Sequence, residues 1–336
     1  MPTRDLANNS KKTLDKADRL INFTEKELIA SYKQALKEVR ERVASLYEKF
    51  QVAEPTKAQL TQFMRQSGIR DEIVDIMRPY YVSNKALIED MSMQGIDTGF
   101  FNNGWSVDQA TGVNQSWGMI DDSAVRAAAG IGGEIGELSG VMSSKEAAKH
   151  AKIMTKAFAN YNKDSQKWIR QAVRQGVIQG ESVPKVTKRI QEALGMSYNS
   201  AEKIARTEIL RSTSIGNQVA YNQARDSGVQ IEETWDATLD DRTRSDHAAA
   251  DGTPKDNITG LYSLFGTEFS APRMSGIAKQ DINCRCISIG EIGGLSPELI
   301  AIRDEGIEPY QGFETWATNN GINTNRFGEQ YNFNGS

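Results

Sequence analysis

The stretch AEKIARTEILRSTSIGNQVAYNQARDSGVQIEETWD, residues 201–236, changes its hydrophobic period once. From Ala201 to about Asp226 the apolar positions Ile204, Ala205, Ile209, Ile215, Val219 and Ala220 recur at helical intervals. Gly228 then supplies the residue type that closes a helix in the left-handed conformation. Beyond it, Gln230 to Trp235 is short and β-branched, which predicts a strand. A long helix delivered directly into a strand makes the chain α+β.

Upstream the pattern stays helical. Ser143 and Glu146 form a capping box, with a helix toward Asn160 and another through Trp168, Ile169, Val173 and Val177 to Gly180. Ser182 and Pro184 read as a cap and first turn, with a stop at Gly195 before the next helix begins at Asn199 or Ser200. Downstream the elements shorten. Asp241–Ala250 predicts one or two helical turns, Ile282–Ile289 a strand, and Pro297–Asp304 a last short helix. The tail from Asn319 is rich in Asn and Gly. The expected fold is α+β: mainly helical N-terminal and middle regions, with a small irregular α+β C-terminal subdomain.

Toward the N-terminus, Leu28, Ala35, Val39, Val43, Leu46 and Phe50 keep the amphipathic period. They predict a helical bundle or hairpin, or a coiled-coil arm if the heptads were longer. Thr56–Met64 reads as helix, Gly68 as a break, and Asp71–Met77 as a helix ending before Pro79. Met91–Gly118 mixes five glycines with Phe100, Phe101, Trp105 and Trp117, which predicts loops or short strands. Its aromatics pack a small core or dock a partner. Ala127–Gly140 is a flexible connection or a tight packing surface. The boundaries drawn are a helical region over 1–141, a second domain over 142–316 and a tail over 317–336.

The 336 residues suit about two domains. Two cysteines exclude a disulfide framework, and two histidines exclude a histidine-rich metal cluster. No stretch approaches a membrane span and no secretory leader begins the chain, so a reducing cytoplasm is expected. The net charge of −4 is an average: residues 142–211 hold 14 basic and 6 acidic residues, +8, whereas residues 212–336 hold 9 and 18, −9. The basic side chains include Lys145, Lys149, Lys152, Lys156, Lys163, Lys167, Arg170, Arg174, Lys185, Lys188 and Arg189. Several lie three or four apart and can share a helix face. Such a face is a solvated surface, a contact for DNA phosphates, or a match for an acidic protein surface, this chain's own C-terminal part included.

The densest chemistry lies at Trp235, Asp240-Asp241-Arg242-Thr243, Asp246-His247 and Asp251-Gly252, followed by Asp281-Ile282-Asn283-Cys284-Arg285-Cys286. Cys284 and Cys286 alternate on an expected strand, so their thiols share a face. With His247, and Asp240 or Asp251, they can make a four-ligand site of the kind that selects zinc. The plain alternative is two buried thiols and a hydrogen-bonded histidine. An enzyme would use Asp240, Asp241, Asp246 and His247 as acids, bases or ligands, but no nucleophile elbow, P-loop or dinucleotide fingerprint accompanies them. On the long helix Arg206 and Glu208 diverge and need partners elsewhere; for Arg206 a carboxylate of the acidic turn is the expected one.

The order Ala205-Arg206-Thr207-Glu208, Tyr221, Gly228-Val229, Trp235, Asp240-x-Arg242-Thr243, His247, Asp251-Gly252, Pro272 and Asn283-Cys284-Arg285-Cys286 resembles the Mu F-like head-morphogenesis domain of tailed bacteriophages. The stretch from Arg303 to Gln311, with Trp316, is similar to the tails of such proteins. The resemblance covers residues 145–316 and none of the first 140. It implies a minor head (capsid) protein and structural component of the virion, placed at the portal vertex or in the head interior and assembled in the host cytoplasm. Its implied partners are the portal protein, the major capsid protein and packaged double-stranded DNA. Carried over as family-motif positions are Arg206, Glu208, Trp235, Asp240, Arg242, Thr243, Asp251, Gly252 and Arg285, with His247, Cys284 and Cys286 as possible zinc ligands. Similar domains also occur joined to toxin modules. The alternative is therefore a phage-encoded enzyme or toxin-like effector, a hydrolase or nuclease, built on Asp240, His247, Cys284 and Cys286.

Overall fold

A computed structural model describes residues 2–49, 68–112, 144–179 and 181–292, with single positions at 56, 58, 59, 62, 117, 126 and 141. The expected features at Ala127–Gly140, Ser143, Pro297–Asp304, Arg303–Trp316 and the tail lie outside the described residues. Four long helices come first: α1 (Pro2–Lys49), α2 (Ile69–Thr111), α3 (Ser144–Ile178) and α4 (Val183–Asp226). Then follow β1 (Ile231–Asp236), α5 (Ser245–Ala249), β2 (Tyr262–Leu264), β3 (Thr267–Phe269), α6 (Ala278–Asp281) and β4 (Ile287–Ile292). The α+β reading stands.

The chain forms two compact units, each assembled from separated stretches. One takes Met1–Asn22, Glu89–Met154 and Arg206–Ser336; the other takes Phe23–Ile88 and Thr155–Ala205. The second unit is helical and buries the periodic positions of α1, with Leu28, Tyr32, Ala35, Val39 and Val43 all in its core. The Tyr32 and Tyr161 hydroxyls meet there at 2.5 Å, and Asn84 donates to Tyr161.

The glycines overturn several expected breaks. Helix α2 runs through Pro79 and across the Gly- and aromatic-rich stretch as far as Thr111, where Gly112 at φ +66° ends it. Pro79 forfeits one backbone bond, but Val74, Met77 and Tyr81 around it are buried and hold the helix. Gly95 and Gly99 are not loop punctuation. A Cβ at Gly95 would sit 2.9 Å from the Ile209 carbonyl oxygen, and one at Gly99 would collide with that of Thr213. Reciprocally, a Cβ at Gly216 would collide with the Ile96 carbonyl. The three glycines let α2 and α4 approach backbone to backbone. The aromatics do pack a core: Phe100, Phe101, Trp105 and Trp117 join Tyr221, Ile231 and Ile292. Likewise α3 is one helix rather than two. Helix α4 passes through Gly195, whose missing side chain faces open space.

Gly228 closes α4 with φ +91°, its amide donating to Arg225 and that of Val229 to Ala224. The chain turns directly into β1, which pairs antiparallel with β4 from Ile231↔Ile292 to Asp236↔Ile287. Tyr221 on α4 ties this ribbon down: its hydroxyl donates to Asn103 at 3.0 Å and accepts from the Gly290 amide at 3.3 Å. Strands β2 and β3 form a hairpin whose turn, Phe265-Gly266, has two positive φ values, as a tight two-residue hairpin requires.

Candidate functional site

The expected strand at Ile282–Ile289 starts late, at Ile287, so the two cysteines do not alternate on it. They sit in the preceding turn. Asn283 takes φ +56°, its amide donates to Thr207 Oγ1 on α4 at 3.2 Å, and the chain bends so that both thiols face inward. Helix α5 supplies His247, which is 2% exposed, as are Cys284 and Cys286. His247 Nδ1 lies 3.3 Å from Cys286 Sγ and 3.6 Å from Cys284 Sγ. Among the described residues no carboxylate joins this donor group. Neither expected fourth ligand reaches it: Asp240 is gripped by both Arg285 nitrogens at 2.5 and 2.6 Å, and Asp251 accepts from the Ala237 amide at 2.8 Å.

The ring of His247 is fixed from every side. Its Nε2 is 2.9 Å from Gln280 Oε1, while Gln280 Nε2 donates to Asp246 Oδ2 at 2.7 Å. Since a carboxylate only accepts, that second bond sets the amide orientation, and the amide oxygen then requires a proton on His247 Nε2. Nδ1 is left pointing at the sulfurs. Phe265 stacks on the imidazole at 4.8 Å, and Trp235, buried in β1, meets it edge-on at 5.8 Å. Arg273, wholly buried, donates to the carbonyls of Cys284 (3.1 Å) and Cys286 (2.7 Å) and reaches Ser214 on α4. The hydrogen bond from Cys286 draws the Cys284 thiol well below its usual pKa; burial opposes this, and His247 and Arg273 reinforce it. Cys286, as the donor, is pushed up.

Three non-glycine residues have positive φ among the described residues: Phe265, Arg273 and Asn283. All three belong to this site, one stacked on the histidine, one holding the cysteine carbonyls and one bending the chain before Cys284. Backbone strain of this kind persists where the surroundings over-determine it. A cavity of about 20 Å³ opens beside the sulfurs, lined in part by Thr238, Arg242 and Thr243, and has room for about one water molecule.

The other expected residues support this site or lie apart from it. Glu208 is buried and holds Arg211 on the same helix; burial raises its pKa against the pull of that guanidinium. Arg206 is half-buried on α4, and Asp240 of the acidic turn is paired with Arg285. Asp240 also accepts from the Arg242 amide, and the Thr243 hydroxyl donates to the Thr238 carbonyl. Gly252, at φ +73°, closes the turn whose amide donates back to Trp235. On the basic helices Lys152, Lys156, Lys163, Lys167, Arg170, Arg174, Lys185 and Lys188 are exposed. Lys149 reaches the Ser275 carbonyl, and Arg189 is committed to Glu181. The Lys145 side chain lies outside the described residues. Sequence reasoning did not find Gln280, Phe265 or Arg273, because each acts on the site through a contact at least 11 residues away that leaves no local pattern.

Residues 167–289 match the family described as Phage Mu protein F like protein. The minor head protein GP7 of Bacillus phage SPP1 is 27% identical over 289 residues, which is 85% of this chain and 88% of that protein. An NAD(+)–arginine ADP-ribosyltransferase EFV of Enterococcus faecalis is 25% identical over 277 residues, 82% of this chain, and the chain spans about half (53%) of its length. Matches this long must reach into the first 140 residues, to which the motifs alone gave no relative. No solved structure matches the chain.

Proposed function

Because residues 167–289 match the Mu F-like family and the chain is similar to a phage minor head protein, we propose that it acts in the phage head by binding, not by catalysis. The observation that carries this is coverage. The shared segment is nearly all of the head protein, 88%, but only 53% of the transferase. The segment is thus a head-protein body, and the transferase named in the other relative has almost as much chain again outside it.

The partners we assign are the portal and major capsid proteins, with packaged DNA along α3. At 100° per residue, Lys156, Lys163, Lys167, Arg170 and Arg174 fall within about 60° of arc on that helix. They are exposed, and no acidic residue of α3 shares the arc. Among the described residues, Arg170 alone of these five forms an ion pair, with Asp71, itself exposed, at 3.6 Å. The row rises about 27 Å, the geometry of a contact that follows phosphates without reading bases.

Three measurements test the reading. Mass spectrometry of purified heads should find the chain as a low-copy component, and a chain absent from heads refutes the role. In DNA binding, five phosphate contacts give a log–log salt slope of about −4 to −5. Changing Lys163, Lys167, Arg170 and Arg174 to Glu should flatten it by at least about 3; an unaltered slope removes DNA from the partners. Incubation with labelled NAD+ and an arginine-rich acceptor should transfer no label, and transfer would revive the effector reading.

A further inference from the structure

We propose that His247 Nδ1, Cys284 Sγ and Cys286 Sγ bind one zinc ion, with a solvent molecule from the adjoining cavity as fourth ligand. The proposal stands apart from the head-protein reading and rests on this site alone.

Geometry is the first argument. A tetrahedral zinc with Zn–N of about 2.0–2.1 Å and Zn–S of about 2.3 Å sets its nitrogen and sulfur ligands about 3.5–3.6 Å apart. The two N···S distances here are 3.3 and 3.6 Å, and all three donors lie within 4.8 Å of one another. The two N–S edges of the polyhedron are therefore formed already. The donor set is the second argument, since two thiolates and an imidazole favour zinc over the hard cations.

Orientation is the third. A metal-binding histidine donates its other ring N–H to a fixed acceptor, which settles the tautomer and aims the lone pair. The Asp246–Gln280–His247 relay does this, leaving Nδ1 toward the sulfurs. A histidine that merely filled space would need no such relay, nor three strained residues around it. The cavity is the fourth argument. It has room for about one water beside the sulfurs, which suits a solvent ligand. Binding releases the protons the donors carry.

The test uses the full-length chain purified without chelator. Elemental analysis should give about one zinc per chain, released by a strong chelator and restored by added Zn2+. Cobalt added to the chelated protein should give sulfur-to-cobalt charge-transfer absorption and the visible bands of a tetrahedral ion. Cys286→Ser and His247→Gln should each lose the bound zinc, while Asp251→Asn should keep it. Should the ligand variants fail to fold, the unaltered chain still decides. Zinc well below stoichiometry after reconstitution, together with no charge-transfer band on cobalt addition, overturns the proposal. So does full zinc binding by His247→Gln.

Discussion

His150 on α3 makes acid stability testable at one residue. It is buried, and burial is the chief cause that lowers its pKa to about 3; Arg211 and Lys149 add to this, and a hydrogen bond with the Met274 backbone opposes it. The folded state therefore keeps the ring neutral, while the unfolded chain protonates it below about 6.5. The contribution is fully present above that pH and is lost as pH falls toward the folded value. At ~1.4 kcal/mol per pH unit the linkage is worth about 5 kcal/mol at its ceiling, and about 2 kcal/mol is gone by pH 5. Denaturant titrations at pH 7 and pH 5, on the unaltered chain and on His150→Gln, measure it. His247 and Glu208, both with raised pKa values, act with the opposite sign, so the readout is the difference between the two proteins. Asp240, held low by Arg285, loses its contribution only at lower pH. The unaltered chain should lose roughly 2 kcal/mol more than the variant. Equal losses would refute the reasoning.

The glycines give a prediction of opposite signs for one chemical change. Gly99→Ala and Gly216→Ala press a methyl group into a backbone carbonyl and should each cost about 2 kcal/mol or more, whereas Gly195→Ala meets open space inside α4 and should stabilise by up to ~1 kcal/mol; thermal melts of the three variants check it. The buried cluster below β1 gives an asymmetric pair. Glu233 accepts from Lys255 at 3.1 Å and Arg225 at 2.7 Å, and these cations hold its carboxylate ionised against burial. Glu233→Gln strands a buried ammonium and should cost about 3–5 kcal/mol. Lys255→Met should cost clearly less in the same denaturant assay, because Arg225 still serves Glu233; equal costs would remove the argument.

Much of the fold was legible where one signal had one physical meaning. Gly228 after a helical period could only close the helix, and Ile231–Asp236 followed it as a strand. The period of α1 named its buried face correctly. Glycine inside an apolar run has two meanings, a break or a close crossing, and only the partner helix decides between them. Gly95 and Gly99 read as loop residues until Ile209, Thr213 and Gly216 are placed opposite them. The cysteine pair lies off its expected strand, which starts only at Ile287. Sequence spacing suggested that Cys284 and Cys286 share a face, which they do, but for another reason: Asn283 turns the chain and Arg273 holds the two carbonyls.

The motif residues then separate by what they do. Trp235, Asp251, Gly252, Asp240 and Arg285 shape the turns around β1 and before β4, and none of them touches a thiol as a ligand. The frame for the thiols is α4. Thr207 takes the Asn283 amide, and Ser214 takes the Arg273 guanidinium that spans both cysteine carbonyls. These two positions are seven apart, two turns along one face of the helix. The cysteine turn is thus clamped at two points on a rigid rod, while His247 arrives on a separate short helix steered by Gln280 and Asp246. Two rigid attachments meeting at three donors, packed against the buried cluster of Trp235, Tyr262 and Phe269, explain how strained residues persist there. The Gly95–Gly99–Gly216 crossing secures that rod against α2. Loosening the crossing should therefore loosen the donor geometry, and Gly216→Ala should weaken metal affinity although it lies outside the site.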